Sequence, residues 1–141
     1  MRVVLDTGIL LAALITSGTP PDLIYRAWRK KAFELITSEW QLGELRRVSR
    51  YPKLRKYLKP AEVGTLVNGL RRQATLLHEL PKLDISPDPD DNPILATAIA
   101  GLADYLVTGD KRDLLSLQKV ETVQIVTART FADSLGLSTE D

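Results

Sequence analysis

Residues 3–10 read VVLDTGIL, an apolar run that reaches Asp6 and then breaks through Thr7 and Gly8. The apolar part predicts a short buried strand, and the acid stands directly after it. In open parallel sheets, ligands bind just outside the carboxyl ends of the strands. Asp6 is therefore a candidate site residue, provided that acids following other strands converge on the same edge.

Three later runs have the same apolar, β-branched or aromatic character. Each run is flanked by a stretch with helical spacing, and this alternation favours a parallel sheet with helices on both faces. The strands are predicted at residues 3–5, 33–37, 105–107 and 123–126. We therefore predict an α/β fold with a central parallel sheet.

Several segments between these runs predict helices. Residues 20–33 open with two prolines and carry an apolar stripe that includes Trp28, which is expected in the core. Ser38 is suited to cap the next helix. Residues 59–80 keep apolar side chains at helical intervals and predict one long helix. Asn92, followed by a proline, predicts the cap of a helix rich in small residues.

Length and composition limit the class of protein. The chain has 141 residues, no cysteine and one histidine, and we expect a single domain over residues 1–141. The lack of cysteine excludes disulfides and thiolate metal sites and fits a reducing compartment. We see neither a signal-peptide pattern nor an apolar stretch long enough to span a membrane. A cytoplasmic protein without a membrane partner is therefore expected.

The charges are distributed unevenly along the chain. Residues 1–82 hold 15 Lys and Arg against 7 Asp and Glu, whereas residues 83–141 hold 4 against 11. This asymmetry predicts a surface that attracts phosphates beside acids that need cations, although solvated helix faces would give similar counts. The basic side chains expected to hold RNA phosphates are Arg46, Arg47, Arg50 and Lys53.

Acidic residues recur where the predicted strands end, where the following helices begin or within the first two turns of those helices. These positions share one edge of a parallel sheet, so the carboxylates are expected to meet there. Clustered carboxylates repel one another unless a cation neutralises them, and hard oxygen ligands favour Mg²⁺ or Mn²⁺. Such ions activate water for phosphodiester hydrolysis. The residues expected to bind the metal and to act in catalysis are Asp6, Glu44, Asp91 and Asp110.

Four motifs, VVLDTGIL, SEWQLGEL, DPDDNPILATA and ADYLVTGDKRDLL, occur in the order in which PIN-domain proteins carry similar motifs. The chain most closely resembles the bacterial VapC-like ribonucleases, which are the toxins of toxin–antitoxin pairs. The resemblance covers essentially the whole chain. It implies a three-layer α/β/α fold, RNA cleavage that depends on Mg²⁺ or Mn²⁺, homodimerisation and inhibition by a small antitoxin.

The resemblance also assigns roles by position. The family's four acidic positions fall on the four residues already proposed, with Asp91 lying five residues before the ATA triplet. Thr7 and Thr108 fall on hydroxyl-bearing positions that help to orient acids or water. Asp90 is a neighbour that we do not rank against Asp91.

Each candidate also has an ordinary structural explanation. Asp6 could form a turn, Glu44 could pair with a neighbouring arginine, and Asp91 or Asp110 could begin a helix. Trp40 is expected to pack, with base stacking as the alternative. His78 lies close to three leucines in the sequence and is expected to be structural.

Two other functions compete with the ribonuclease. The fold could serve as a non-catalytic module that binds RNA or protein. The first motif also resembles that of the haloacid-dehalogenase phosphatases, which form an aspartyl-phosphate, but Gly8 stands where that family carries its second aspartate. Metal binding discriminates the nuclease from the non-catalytic module.

Overall fold

The computed structural model describes residues 1–109 and 111–137. A six-stranded sheet forms its middle layer, in the strand order β3-β2-β1-β4-β6-β5. The strands are Arg2–Leu5 (β1), Glu34–Ser38 (β2), Thr75–Leu77 (β3), Tyr105–Thr108 (β4), Lys119–Val120 (β5) and Val123–Thr127 (β6). Every pairing is parallel except that of β5 with β6, which adds an antiparallel strand at one edge.

Helices cover both faces of this sheet. They are Thr7–Ile15 (α1), Pro20–Arg29 (α2), Glu39–Ser49 (α3), Pro52–Arg55 (α4), Pro60–Gln73 (α5), Asn92–Ala100 (α6), Arg112–Leu115 (α7) and Ala128–Ser134 (α8). Because side chains alternate along a strand, Val3 and Leu5 pack against the layer of α1, α2, α3, α5 and α8, while Val4 packs against α6 and α7. The predicted three-layer α/β/α architecture is confirmed.

The centre of the sheet sets the position of the first acid. β1 lies between β2 and β4, and Leu5 is paired with Val107. The amide of Asp6 donates to the Val107 carbonyl over 2.9 Å, which continues the pairing by one residue. The carboxyl end of β1 is therefore held against the end of β4, where Thr108 is the last strand residue.

The prediction of one helix over residues 59–80 is wrong. α5 ends at Gln73, and Ala74 adopts an extended conformation that releases the chain into β3. The three residues of β3 pair in parallel with the end of β2. A strand of three residues is too short to show alternation, so its apolar side chains extended the helical pattern of α5.

The predictions for Trp28 and Ser38 are confirmed, and the prediction that Asn92 caps a helix is wrong. Trp28 is in the core at 4% exposure, and the Ser38 hydroxyl accepts from the Gln41 amide over 3.2 Å at the start of α3. Asn92 is the first residue of α6, but its side chain does not cap that helix. It accepts from the amides of Ile85 and Ser86 and so fixes the preceding loop.

The helices are short in comparison with a membrane span. Within residues 1–109 and 111–137, no single helix is long and apolar enough to cross a bilayer. Thr7–Ile15 and Pro20–Arg29 pass that test only when taken together, and they meet at an angle of 95°.

Candidate active site

Asp6 is the buried centre of the site. Its Oδ1 accepts from the Ile9 amide over 2.8 Å and thereby caps α1, while the Thr108 hydroxyl donates to Oδ2. The residue is only 2% exposed. Asp6 therefore has the expected structural role in the turn and also presents a carboxylate at the carboxyl edge of the sheet.

The surroundings of Asp6 disfavour a free negative charge. Burial raises the pKa of its carboxyl above the ordinary value of 3.8, and the nearby Asp91 charge acts in the same direction. Hydrogen bonds from Thr108 and Ile9 and the charge of Lys111 lower that pKa without reversing the shift. A cation close to Asp6 would relieve this penalty.

Glu44 reaches the same edge from α3. The Thr7 hydroxyl donates to Glu44 Oε1, which connects the first turn of α1 with the middle of α3. The other carboxylate oxygen, Oε2, lies 3.4 Å from Arg47 Nη2, so the expected local ion pair is present as well. Because Arg47 is largely exposed, that pair contributes little to stability.

Asp91 lies at the start of α6 and is 3% exposed, whereas its neighbour Asp90 is exposed. Asp91 Oδ1 is 3.2 Å from Lys111 Nζ, and the side chain makes no capping bond to α6. The structure thus brings Asp91 towards the first acid and leaves Asp90 outside.

Lys111 places its ammonium group beside the Asp91 carboxylate. Burial acts to lower the pKa of Lys111, but the charges of Asp91, Asp6 and Glu44 together outweigh it and raise that pKa. Lys111 therefore pairs directly with Asp91 and is affected by the charges of Asp6 and Glu44 at longer range.

A buried polar network fixes the helices that carry the acids. The Gln41 amide nitrogen donates to the Leu5 carbonyl over 2.7 Å, and its oxygen accepts from the Thr37 hydroxyl over 2.6 Å. The Ser38 and Thr97 hydroxyls lie 3.0 Å apart and connect α3 with α6. These contacts hold the carboxyl ends of β1 and β2 against α3 and α6.

The oxygen-only donor set fits a hard divalent cation such as Mg²⁺ or Mn²⁺. Carboxylates come from Asp6, Glu44 and Asp91, with threonine hydroxyls bonded to the first two. In the described part of the chain, no three acidic or histidine side chains are grouped closely enough to share one metal ion. Asp110, predicted as the fourth ligand, lies outside the described residues.

The predicted RNA-binding residues do not form one group. Arg47 lies beside Glu44 and also contacts Tyr51. Arg46 and Arg50 instead line a separate cavity of about 690 Å³ between α3, α4 and α5. Lys53 is exposed on α4. Helix geometry explains why Arg46 and Arg50 are separated from Glu44. They follow Glu44 by two and six positions, and at 100° per residue both side chains point away from Glu44 around the axis of α3.

Sequence reasoning missed two contributors to this site and misplaced a third residue. Lys111 directly follows an expected ligand in TGDKRD, and Gln41 is a polar residue on the buried face of α3; these were the available signals. His78, expected to be structural, has a side chain that is 76% exposed. The three neighbouring leucines did not predict the exposure of His78, because β3 ends at Leu77 and His78 lies in the loop that follows.

Comparisons with known proteins agree with this architecture. The sequence profile of the PIN domain matches residues 2–112. An uncharacterized protein of Methanocaldococcus jannaschii, MJ1680, is 29% identical over 120 residues, which are 84% of this chain and 76% of the relative. The crystal structure of VapBC2 from Rickettsia felis bound to a DNA fragment from their promoter contains a chain that superimposes with a TM-score of 0.56 at 19% identity. The match covers 90% of this chain and 98% of that chain.

Proposed function

The chain belongs to the PIN domain family, and from that premise we propose that it is a metal-dependent endoribonuclease and the toxin of a toxin–antitoxin pair. The observation that carries the proposal is that Asp6 and Asp91 are buried carboxylates, with Asp91 Oδ1 lying 3.2 Å from Lys111 Nζ. Glu44 is connected to the residue after Asp6 through the Thr7 hydroxyl. These three carboxylates supply the oxygen donors that a divalent cation prefers.

The proposed mechanism is hydrolysis of an RNA phosphodiester bond. A bound Mg²⁺ or Mn²⁺ would neutralise charge on the phosphate and make a coordinated water more acidic. Asp6, Glu44, Asp91 and Asp110 would hold the ion. The hydroxyls of Thr108 and Thr7 orient two of these carboxylates, and Arg47 is an exposed cation 3.4 Å from Glu44 Oε2.

The partner and the assembly rest on the resemblance to VapC-like proteins. The solved neighbour is a VapBC2 complex on promoter DNA, which supports a small antitoxin as the partner of this chain. A homodimer, a cytoplasmic location and a single domain over residues 1–141 stay predictions. RNA contacts of Arg46, Arg50 and Lys53 are proposed in the same way.

One observation favours a second candidate, the non-catalytic RNA- or protein-binding module. The Lys111 ammonium already neutralises part of the acid cluster, so the fold does not need a metal for that purpose. A calorimetric titration with Mn²⁺ separates the candidates, because a nuclease binds the ion through these carboxylates and a scaffold has no such requirement.

Incubation of a mixed single-stranded RNA pool with the purified protein tests the proposal. The nuclease is expected to cut the pool with Mn²⁺ or Mg²⁺ and to stop when EDTA is added. A folded protein that binds no Mn²⁺ and cuts no RNA in either metal would support the scaffold instead.

A further inference from the structure

A second cavity is lined in part by residues of α3, which carries Glu44, and of α6, which follows Asp91, and its residues have no role in the proposed hydrolysis. Its volume is about 570 Å³, within the range of small-molecule sites. The apolar part of the wall comes from Trp40, Leu80 and Leu83 together with prolines at 81, 89 and 93. We refer to it as the Trp40 cavity.

Two elements connect the Trp40 cavity to the acids. Trp40 and Glu44 are four residues apart on α3, so they lie one turn apart on the same side of that helix. Asn92, another wall residue, directly follows Asp91. If an RNA strand binds with one phosphate at the acids, an adjacent nucleotide of that strand can therefore reach the cavity.

The wall is held in place before any ligand binds. Asn92 Oδ1 accepts from the amides of Ile85 and Ser86 at 3.1 and 2.9 Å. The Ser86 hydroxyl in turn accepts from the Asp88 amide over 3.2 Å. Trp40 is half-buried and packs against the core on the α6 side, so its indole is fixed while it borders the cavity.

The chemistry of the cavity suits a nucleobase. An indole face stacks with bases of any identity, and the prolines and leucines offer further apolar contact. Lys82 and His78 place basic side chains in the wall. Asp84 and the amide nitrogen of Asn92, whose oxygen already accepts from two backbone amides, offer polar groups to a base edge. An apolar partner protein would not need this combination.

We propose that the Trp40 cavity binds the base of a nucleotide next to the scissile phosphate, with that base stacked on the Trp40 indole. The inference rests on the proposed ribonuclease function and specifies how its substrate is held. It makes Trp40 a substrate-binding residue that selects single-stranded RNA, because a paired base cannot enter the cavity.

Fluorescence tests the binding step without cleavage. The chain has two tryptophans, and the other, Trp28, is buried in the core. In EDTA, hexamers of adenylate or uridylate are expected to quench the emission of the wild type, whereas an abasic ribose-phosphate hexamer is not. Trp40→Leu should remove the quenching and weaken hexamer binding about 5- to 150-fold, the range of base–aromatic stacking. Equal binding of abasic and base-bearing hexamers would overturn the inference.

Cleavage in Mn²⁺ supplies the second readout. Trp40→Leu should raise KM on RNA with little change in kcat, while Trp40→Phe, which keeps an aromatic face, should stay within a fewfold of the wild type. Tyr57→Leu removes an exposed aromatic outside the cavity and serves as the matched control. A wild-type KM in Trp40→Leu would overturn the subsite and leave the nuclease intact. Base-dependent quenching without any RNA cleavage would instead keep a base-binding cavity and overturn both the nuclease and the place of the cavity next to a scissile phosphate.

Discussion

The ammonium of Lys111 lies 3.2 Å from Asp91 Oδ1, and the charges of Asp6 and Glu44 act on the same ammonium. A half-exposed cation of the chain itself therefore lies beside a carboxylate that we propose as a metal ligand. This arrangement explains how buried acids can meet in a folded chain, because a nearby positive charge offsets part of their repulsion. It also makes the competition between lysine and metal measurable.

Replacement of Lys111 by methionine tests this competition. The change removes the ammonium and keeps a side chain of similar length, so Mn²⁺ should bind at least about tenfold more tightly at low salt. A unit charge about 5 Å from a divalent ion contributes roughly 2–7 kcal/mol at effective dielectric constants of 20–80, and a factor of ten corresponds to about 1.4 kcal/mol. Titration calorimetry reads the change in Kd. Lys111→Arg keeps the charge and should behave like the wild type; a Kd for Lys111→Met that is unchanged or higher would contradict the competition.

The substitution Asp6→Asn should separate metal binding from folding. Asparagine caps a helix as well as aspartate does, and its amide can still pair with the Thr108 hydroxyl, so the fold is expected to persist. The wild type should gain about 2.7 kcal/mol of unfolding free energy at a metal concentration of 100 times Kd, which raises its Tm by several degrees. Asp6→Asn should show almost no metal-dependent shift. An equal shift in both proteins would place the ion elsewhere.

The pH dependence of stability follows from the burial of Asp6. Its pKa is raised in the folded state, so the folded protein holds this proton above pH 3.8 while the unfolded chain has released it. The contribution of this group to the free energy of unfolding is therefore largest below pH 3.8. That contribution is lost as the pH rises through the pKa of the folded state. Without metal, Asp6→Asn should therefore become increasingly stable relative to the wild type as pH rises. Urea denaturation of both proteins across this range measures the difference, and a constant difference would contradict the origin in Asp6.

Gln41 should be important for stability although it is not acidic. Gln41→Leu removes the donor to the Leu5 carbonyl and the acceptor of the Thr37 hydroxyl in a fully buried environment. Leaving two buried polar groups without these partners costs about 2–4 kcal/mol of unfolding free energy. Gln73→Leu is the matched control, since that glutamine pairs with Arg29 at the surface and should change stability by less than about 0.5 kcal/mol. Similar losses of unfolding free energy in both variants would contradict a specific stabilising role for the buried hydrogen bonds of Gln41.

Much of the fold was predictable because short apolar runs mark the buried parallel strands. The central strands and the position of Asp6 after β1 follow from that pattern. β3 was missed, since three residues at a sheet edge carry no period of their own. The sequence also could not show that Lys111 turns back towards Asp91, because that contact depends on the end of β4 and the start of α6 being neighbours in space.

The site was predicted less completely than the fold. Asp6, Glu44 and Asp91 were grouped because Asp6 follows a strand, Asp91 precedes a helix and Glu44 lies one to two turns into the helix after β2. The separation of Arg46 and Arg50 from Glu44 depends on their angles around α3, and the charge count along the chain carries no information about those angles. Charge composition predicted a phosphate-binding surface without locating it.

The most direct measurement is cleavage of single-stranded RNA by the wild type and by Asp6→Asn, each with Mn²⁺, with Mg²⁺ and with EDTA. Both proteins are first shown to be folded by circular dichroism. We predict cleavage by the wild type in the presence of metal and none by Asp6→Asn in any condition. Equal cleavage by the two proteins, or undiminished cleavage by the wild type in EDTA, would contradict a metal site built on Asp6.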